Sequence, residues 1–331
     1  MRVSTSITSD DLTGLGARAA ELEARGFDEL QTQEGRHDPF IPLAVAAAAT
    51  ERVGLATNVA ISFPRSPMMA AVAAWDLQAL SGGRFALGLG SQIRPHNERR
   101  YSTPWSAPAP RMRKYVQSMK AIFHSWETGD RLRFEGDHYT FTLMTPNFTP
   151  PPLDGPAPPI GIAAVGPFML GVAGRVCDGA NLHAFCTREY LETVILPKLE
   201  AGLADRGLSR ADFRITGGGF IATGADNEAV DTAVEWVRKR IGFYGSTPSY
   251  WPVLELHDLG DLGQKLNAMS KAGEWDAMTN EISDDIVDLF CARGTYAELP
   301  AAVRAHFGGL VDGVGVDNDV PGDVVEAIQA I

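Results

Sequence analysis

Only three cysteines, Cys177, Cys186 and Cys291, occur in the 331 residues, and no two of them form a Cys-x-x-Cys pair. So scattered and odd a set excludes a disulfide framework and a cysteine zinc site, and a reducing cytoplasm is the simplest setting. His183 and Cys186 stand close together but lack further ligands at zinc spacing, and there is no His-Glu-x-x-His, so no metal is expected. Basic residues are in the minority, with 29 Lys and Arg against 41 Asp and Glu and a formal charge of −12. That balance argues against general binding to nucleic acid or an anionic membrane. Long apolar runs are missing too: Ile41 to Ala49 is far too short for a membrane span, and Val3 to Ile7 alternates with polar residues, unlike a signal peptide. There is no Gly-x-Ser-x-Gly elbow and no Walker loop, while Gly217-Gly218-Gly219 lies inside a strand pattern and not ahead of a helix. Internal repeats, charge blocks and obvious linkers are also absent.

What remains is an ordinary globular composition, 45% hydrophobic and 21% charged, arranged as alternating strand and helix patterns. Residues 2–7 read as a strand. Ser9-Asp10-Asp11 then starts a helix in which Leu12, Leu15, Ala19 and Leu22 recur at three- and four-residue steps as far as Gly26. Further strands are expected at 27–32, 53–59, 85–89, 160–164, 178–183, 213–223 and 311–316, with a helix after nearly every one. Ser66-Pro67 caps one of these helices, and Gly82-Gly83 stops it. Two stretches break the rhythm: a hairpin around Gly136-Asp137 with a proline-rich return, about 130–159, and a mainly helical insertion, about 245–293. Eight strands with a helix after nearly all of them predict parallel pairing and one α/β domain over 1–331, a (β/α)8 TIM barrel.

In such a barrel the site lies at the carboxyl ends of the strands. Reading those ends in order gives Gln31 to Glu34 with His37, then Asn58, then Ser91 and Gln92 after the glycines Gly88 and Gly90, then Ala164 to Gly166, then His183. Glu34 and His37 form a candidate acid and base pair, since a carboxylate can orient an imidazole and tune it; a solvated loop is the plainer alternative. Ala164-Val165-Gly166-Pro167 offers free backbone N–H groups at a helix start, a seat for an anion. Arg94, His96, Arg99, Arg100, Arg111, Arg113 and Lys114 concentrate positive charge in an acidic protein, which suits either a polyanionic ligand tail or a solvated helix face.

Several segments together resemble the luciferase-like monooxygenase superfamily, in particular its branch dependent on the deazaflavin coenzyme F420. They are Gly26-Phe27-Asp28-Glu29-Leu30 with Glu34, His37-Asp38-Pro39-Phe40, Ala74 to Phe85, Leu87 to Gln92, Ala163 to Pro167, Cys177-Asp178-Gly179 and Phe243 to Pro248. The resemblance implies a bacterial luciferase-like barrel with the deazaflavin across its mouth and a nonprolyl cis peptide at Asn58–Val59. It implies a cofactor held by Asn58, Val59, Gly90, Ser91, Gln92, Ala164, Val165 and Gly166, catalysis by Glu34 or His37, and a substrate pocket that includes Phe63 and His96. It also implies a homodimer. Relatives that oxidise sugar phosphates carry a histidine and an acid where this chain has Gly35 and Ile93, which argues against that substrate. The expected reaction is hydride transfer between F420 and a small organic molecule. The alternatives are an FMN-dependent monooxygenase on the same barrel, and a barrel that binds cofactor without turnover. No arginine stands at the Ser91 position to grip an FMN phosphate, which favours the deazaflavin.

Overall fold

In the computed structural model, which describes residues 1–7 and 11–331, the short strands close on themselves. They are β1 (Arg2–Ser6), β2 (Glu29–Thr32), β3 (Gly54–Thr57), β4 (Phe85–Gly90), β5 (Ile160–Ala164), β6 (Gly179–Leu182), β7 (Arg214–Gly217) and β8 (Gly313–Gly315). Their order around the wall is β3-β2-β1-β8-β7-β6-β5-β4, and β4 pairs back onto β3 with Leu55 opposite Phe85. All these pairings are parallel, so the molecule is an eight-stranded α/β barrel of the TIM type. Every strand carboxyl end therefore opens on one mouth.

Local chemistry explains the elements. Asp11 caps the helix Leu12–Ala24 by accepting the Thr13 N–H, and Leu15, Ala19 and Leu22 face the core; Ser9 and Asp10 lie outside the described residues. Ser66 accepts the Met68 N–H to start the helix Pro67–Leu80. That helix stops where Gly82 and Gly83 take φ of 64° and 90°, a region that disfavours any Cβ. In β4, Phe85, Leu87 and Leu89 are almost fully buried, each worth roughly 1.5–3 kcal/mol against exposure.

Two expectations need correction. The strand expected over 213–223 is two strands: β7 ends at Gly217, and Phe220–Gly224 leaves the barrel. The break follows from Gly217 and Gly218, whose φ values are 82° and 95°; a Cβ on Gly217 would sit 2.6 Å from the Leu182 carbonyl oxygen. The insertion is not helical throughout, because Cys291–Thr295 is a strand paired in parallel with Phe220–Gly224. It follows the helix Asp284–Phe290 with no intervening turn residue, so hydrophobic periodicity gave it no boundary. The remaining insertion helices span Trp251–Glu255 and Gly260–Ala272. The hairpin around Gly136-Asp137 places Phe134 opposite Phe141. Among the described residues no helix is long and apolar enough to cross a membrane.

Candidate functional site

The mouth is organised by a bulge after β3. The strand ends at Thr57, the Asn58–Val59 peptide is cis, and Ala60–Ile61 resumes as a two-residue strand against Leu89 and Gly90. Gly90 carries this bulge directly, since a Cβ there would lie 2.6 Å from Val59 Cγ2. Gly88 is equally constrained, with the Thr57 carbonyl oxygen 2.0 Å from where its Cβ would be. The two glycines of Gly-Leu-Gly thus serve a close approach of β3 and its bulge.

Glu34 closes the outer side. Its backbone N–H donates to the Val59 carbonyl at 3.2 Å, and its Oε2 accepts the Ile61 N–H at 2.7 Å together with a bond from Arg65. Arg65 also donates to the Ile61 carbonyl at 3.0 Å and reaches Asp38 at 2.9 Å. Burial would lower the Arg65 guanidinium, but Glu34 and Asp38 outweigh it and leave it raised. Glu34 therefore clamps the chain just after the cis bond, at Val59 through its backbone and at Ile61 through its carboxylate.

Beside the bulge lies a cavity of about 560 Å³ at the carboxyl ends of β2 to β6. Val59, Ile61, Met169 and Phe168 supply apolar wall, and Ser91, Gln92 and Asn58 supply polar groups. Phe168 stands 83% exposed at the rim although it is a large aromatic. Gln92 has φ of 56°, a rare conformation for a side-chain-bearing residue. Gly166 is the N-cap of the helix Pro167–Val176 and has open space where a Cβ would be.

A second cavity, about 350 Å³, shares Asn58 and His183 with the first and is lined by Ser4, Ser6, Gln31, Thr216 and Asp317. Thr5 also lines it, and its buried hydroxyl has no hydrogen-bond partner. His183 stands between the two cavities, edge-on to Tyr244 at 4.4 Å between ring centroids and tilted against Tyr250 at 4.9 Å. The Phe185 N–H donates to His183 Nδ1 at 2.9 Å, which puts the proton of the neutral ring on Nε2. Burial pushes this imidazole down to about 4. The mouth therefore presents a neutral imidazole with a fixed tautomer.

The sequence-predicted residues divide accordingly. Glu34, Asn58, Val59, Gly90, Ser91, Gln92, Val165 and Gly166 line the 560 Å³ cavity. Ala164 is buried in the wall; its neighbour Ala163 faces the cavity instead, as strand alternation requires. Phe63 is 3% exposed, edge-on to Trp105, with the Arg111 guanidinium 4.4 Å above its ring. It packs the wall rather than lining either cavity. His37 is exposed and His96 half-buried in the turn His96–Arg100, and neither is among the lining residues. His183 had a sequence signal, its position at the end of a strand; Phe168 and Tyr250 had none beyond being aromatic.

This geometry can be set beside known proteins. The profile of the family described as luciferase-like monooxygenase matches residues 1–313. The chain belongs to that family. Among its luciferase-like relatives, an uncharacterized protein of Mycobacterium tuberculosis is 46% identical over 302 residues, covering 90% of this chain and 89% of the relative. The 5,10-methylenetetrahydromethanopterin reductase of Archaeoglobus fulgidus is 27% identical, with 93% and 90% covered. In structure the chain is similar to the coenzyme F420 dependent tetrahydromethanopterin reductase of Methanopyrus kandleri, with a TM-score of 0.77, 18% identity, and 99% and 96% of the chains covered. The protein is accordingly a luciferase-like oxidoreductase of a family that uses flavin or F420.

Proposed function

We propose that this luciferase-like barrel is an F420-dependent oxidoreductase, passing a hydride between the deazaflavin and a small organic substrate. The observation that carries the reading is the 560 Å³ cavity built on the Asn58–Val59 bulge over Gly90, which has no arginine or lysine among its lining residues. FMN ends in a phosphate that needs a firm grip, whereas F420 extends its anionic tail beyond its ring. The basic segment from Arg94 to Arg100 lies between the lining residues Ile93 and Pro108, where such a tail would emerge. When bound, a deazaflavin supplies two-electron hydride transfer with little reaction toward oxygen.

The chain's own residues have distinct tasks in this reading. Val59 and Gly90 form the floor against which the ring system would lie. The Ser91 hydroxyl, the Gln92 amide and the backbone at Val165 and Gly166 would hold the polar linker, and Phe168 would cover it from solvent. His183 offers Nε2–H to an oxygen on the substrate side and holds that proton through the neutral pH range. Glu34, offered by its sequence position as an acid or base, keeps the bulge in shape, and the proton-handling task passes from His37 to His183. The 350 Å³ cavity, with its hydroxyls and Asp317, suits a small polar substrate. Exposed Ile41, Met69, Val72 and Leu80 on the helices Phe40–Ala49 and Pro67–Leu80 suit pairing of two copies.

Side-by-side equilibrium titration with oxidised F420 and with FMN tests the reading. Tight binding of F420 alone supports it. Preference for FMN replaces it with an oxygen-using monooxygenase, and binding of neither refutes both.

A further inference from the structure

The interior of a barrel of this kind is ordinarily filled by branched aliphatic side chains. Here a file of polar side chains runs through it. At the amino end, Arg214 donates to Glu29 Oε2 at 2.7 Å, and the Glu29 side chain is only 4% exposed. The other carboxylate oxygen, Oε1, accepts from Gln31 Nε2 at 2.8 Å. Gln31 Oε1 accepts from Asn58 Nδ2 at 2.8 Å, and Asn58 Oδ1 accepts from Asn181 Nδ2 at 2.9 Å. The file thus begins at the first residues of β2 and β7, passes the bulge at Asn58 and ends at Asn181 on β6.

Every link has a direction. A carboxylate can only accept, so it turns the Gln31 amide with its N–H₂ toward the floor and its oxygen toward the mouth. That oxygen then dictates which way Asn58 faces, and Asn58 dictates Asn181. The final amide is held in a slot made by glycines: a Cβ on Gly88 would lie 2.9 Å from Asn181 Nδ2, and one on Gly161 would lie 3.1 Å from Asn181 Oδ1. An ion pair drawn into a barrel interior is a poor way to add stability, because desolvation of both charges offsets their attraction. Fixing a direction is a use that an aliphatic core cannot supply.

We infer that Glu29, with Arg214 behind it, is a positioning residue that fixes the orientation of the Asn58 amide at the cofactor site through the one-way chain Glu29–Gln31–Asn58–Asn181. Asn58 lines both mouth cavities, so its remaining N–H and lone pair meet whatever occupies them. The chemical class served is a planar ring system whose edge carries both donors and acceptors, for which a reversed amide is a mismatch. This inference deepens the proposed deazaflavin reading and rests on it for the identity of the ligand.

The test exploits the direction. In Glu29→Gln, Arg214 captures the new amide oxygen, the new N–H₂ faces Gln31, and the whole file reverses. In the double variant E29Q/R214L no charge anchors the amino end of the file, so the reversed direction loses its advantage and the two directions compete. Three readouts are taken on wild type and both variants: thermal melting, equilibrium titration with F420 and with FMN, and the side-chain N–H₂ signal of Asn58 in protein labelled with ¹⁵N-asparagine. The Asn58 signal is expected to move in E29Q and to shift back toward its wild-type position in the double variant. Affinity for the wild-type cofactor is expected to fall about tenfold in E29Q, with a shifted absorption band, and to recover in the double variant to within about twofold. An unmoved Asn58 signal in E29Q, or a double variant no better than the single one, overturns the inference and leaves the pair a packing element. If wild type binds neither cofactor, the functional reading fails, while the Asn58 signal still decides the direction of the file.

Discussion

Glu34→Gln separates the two tasks this side chain could have. The substitution keeps size and removes charge, so Arg65 loses one of its two carboxylates while remaining largely covered, its side chain 22% exposed. Breaking a buried pair costs about 3–5 kcal/mol, and exposed pairs contribute at most about 1. Asp38 stays in place at 2.9 Å from Arg65, which puts the expected loss between those two cases, about 2 kcal/mol. For a chain of 331 residues, at about 2 cal/mol/K of unfolding entropy per residue, this lowers the melting temperature by about 3 °C. The bulge is expected to loosen as well, because Ile61 loses its charged acceptor, and cofactor affinity should drop about tenfold. Calorimetry, cofactor titration and single-turnover kinetics on the same samples read all three. Wild-type melting and wild-type binding with a collapsed hydride-transfer rate would refute the clamp and restore Glu34 as an acid or base.

The remaining outcomes concern other parts of the molecule. Burial holds His183 and His306 at about 4, below the ordinary 6.5, so the unfolded chain binds protons more readily between those values. Their contribution is therefore complete above pH 6.5 and falls, by about 3 kcal/mol for each, as pH drops toward 4; urea unfolding at stepped pH should show a shallower slope in H183Q and H306Q. Gly90→Ala drives a methyl into Val59 and should cost about 1–3 kcal/mol while abolishing high-affinity cofactor binding, and a variant that still binds normally would refute the bulge-on-glycine arrangement. The thiols of Cys177, Cys186 and Cys291 are buried, and burial raises all three, to about 12 for Cys186 and Cys291; a disulfide reagent should label none of them before unfolding. Met69→Glu should turn a pair of copies into monomers on sedimentation with little change in melting, and an unaltered oligomer would place the pairing surface elsewhere.

Strand and helix periodicity in the first 92 residues laid out the barrel because each element is short, periodic and bounded by an explicit stop such as Gly82-Gly83. It failed at Cys291–Thr295, where helix passes into strand with no turn chemistry between them. It failed in another way at 213–223, where two apolar stretches on either side of Gly217-Gly218-Gly219 read as one strand although the chain changes sheet at those glycines. For the site, the ends of strands located Asn58, Ser91 and His183, since parallel topology alone brings those ends together. Roles were a different matter. Glu34 beside His37 reads as an acid and base pair in sequence, but Arg65, 31 positions away, takes the carboxylate. The polar file from Arg214 through Glu29 to Asn181 links residues on three strands and the bulge, and no window along the chain contains it.

The departure of the chain from the barrel at Gly217 to Gly219 has a consequence for how such a protein can be altered. Between Phe220–Gly224 and Cys291–Thr295 the chain makes an excursion whose two feet lie side by side in a sheet of their own. Ser249 and Tyr250, carried on that excursion, form part of the 560 Å³ cavity wall, and Tyr244 backs His183 from the same stretch. The part that meets a ligand can therefore be lengthened, shortened or exchanged as a cassette grafted onto the outer strand pair, while the hydrogen-bonded wall of the barrel keeps its register. A library confined to residues 246–283 would vary the Ser249 and Tyr250 side of the 560 Å³ cavity and the packing beside His183, while leaving the barrel strands and the Asn58–Val59 bulge unchanged.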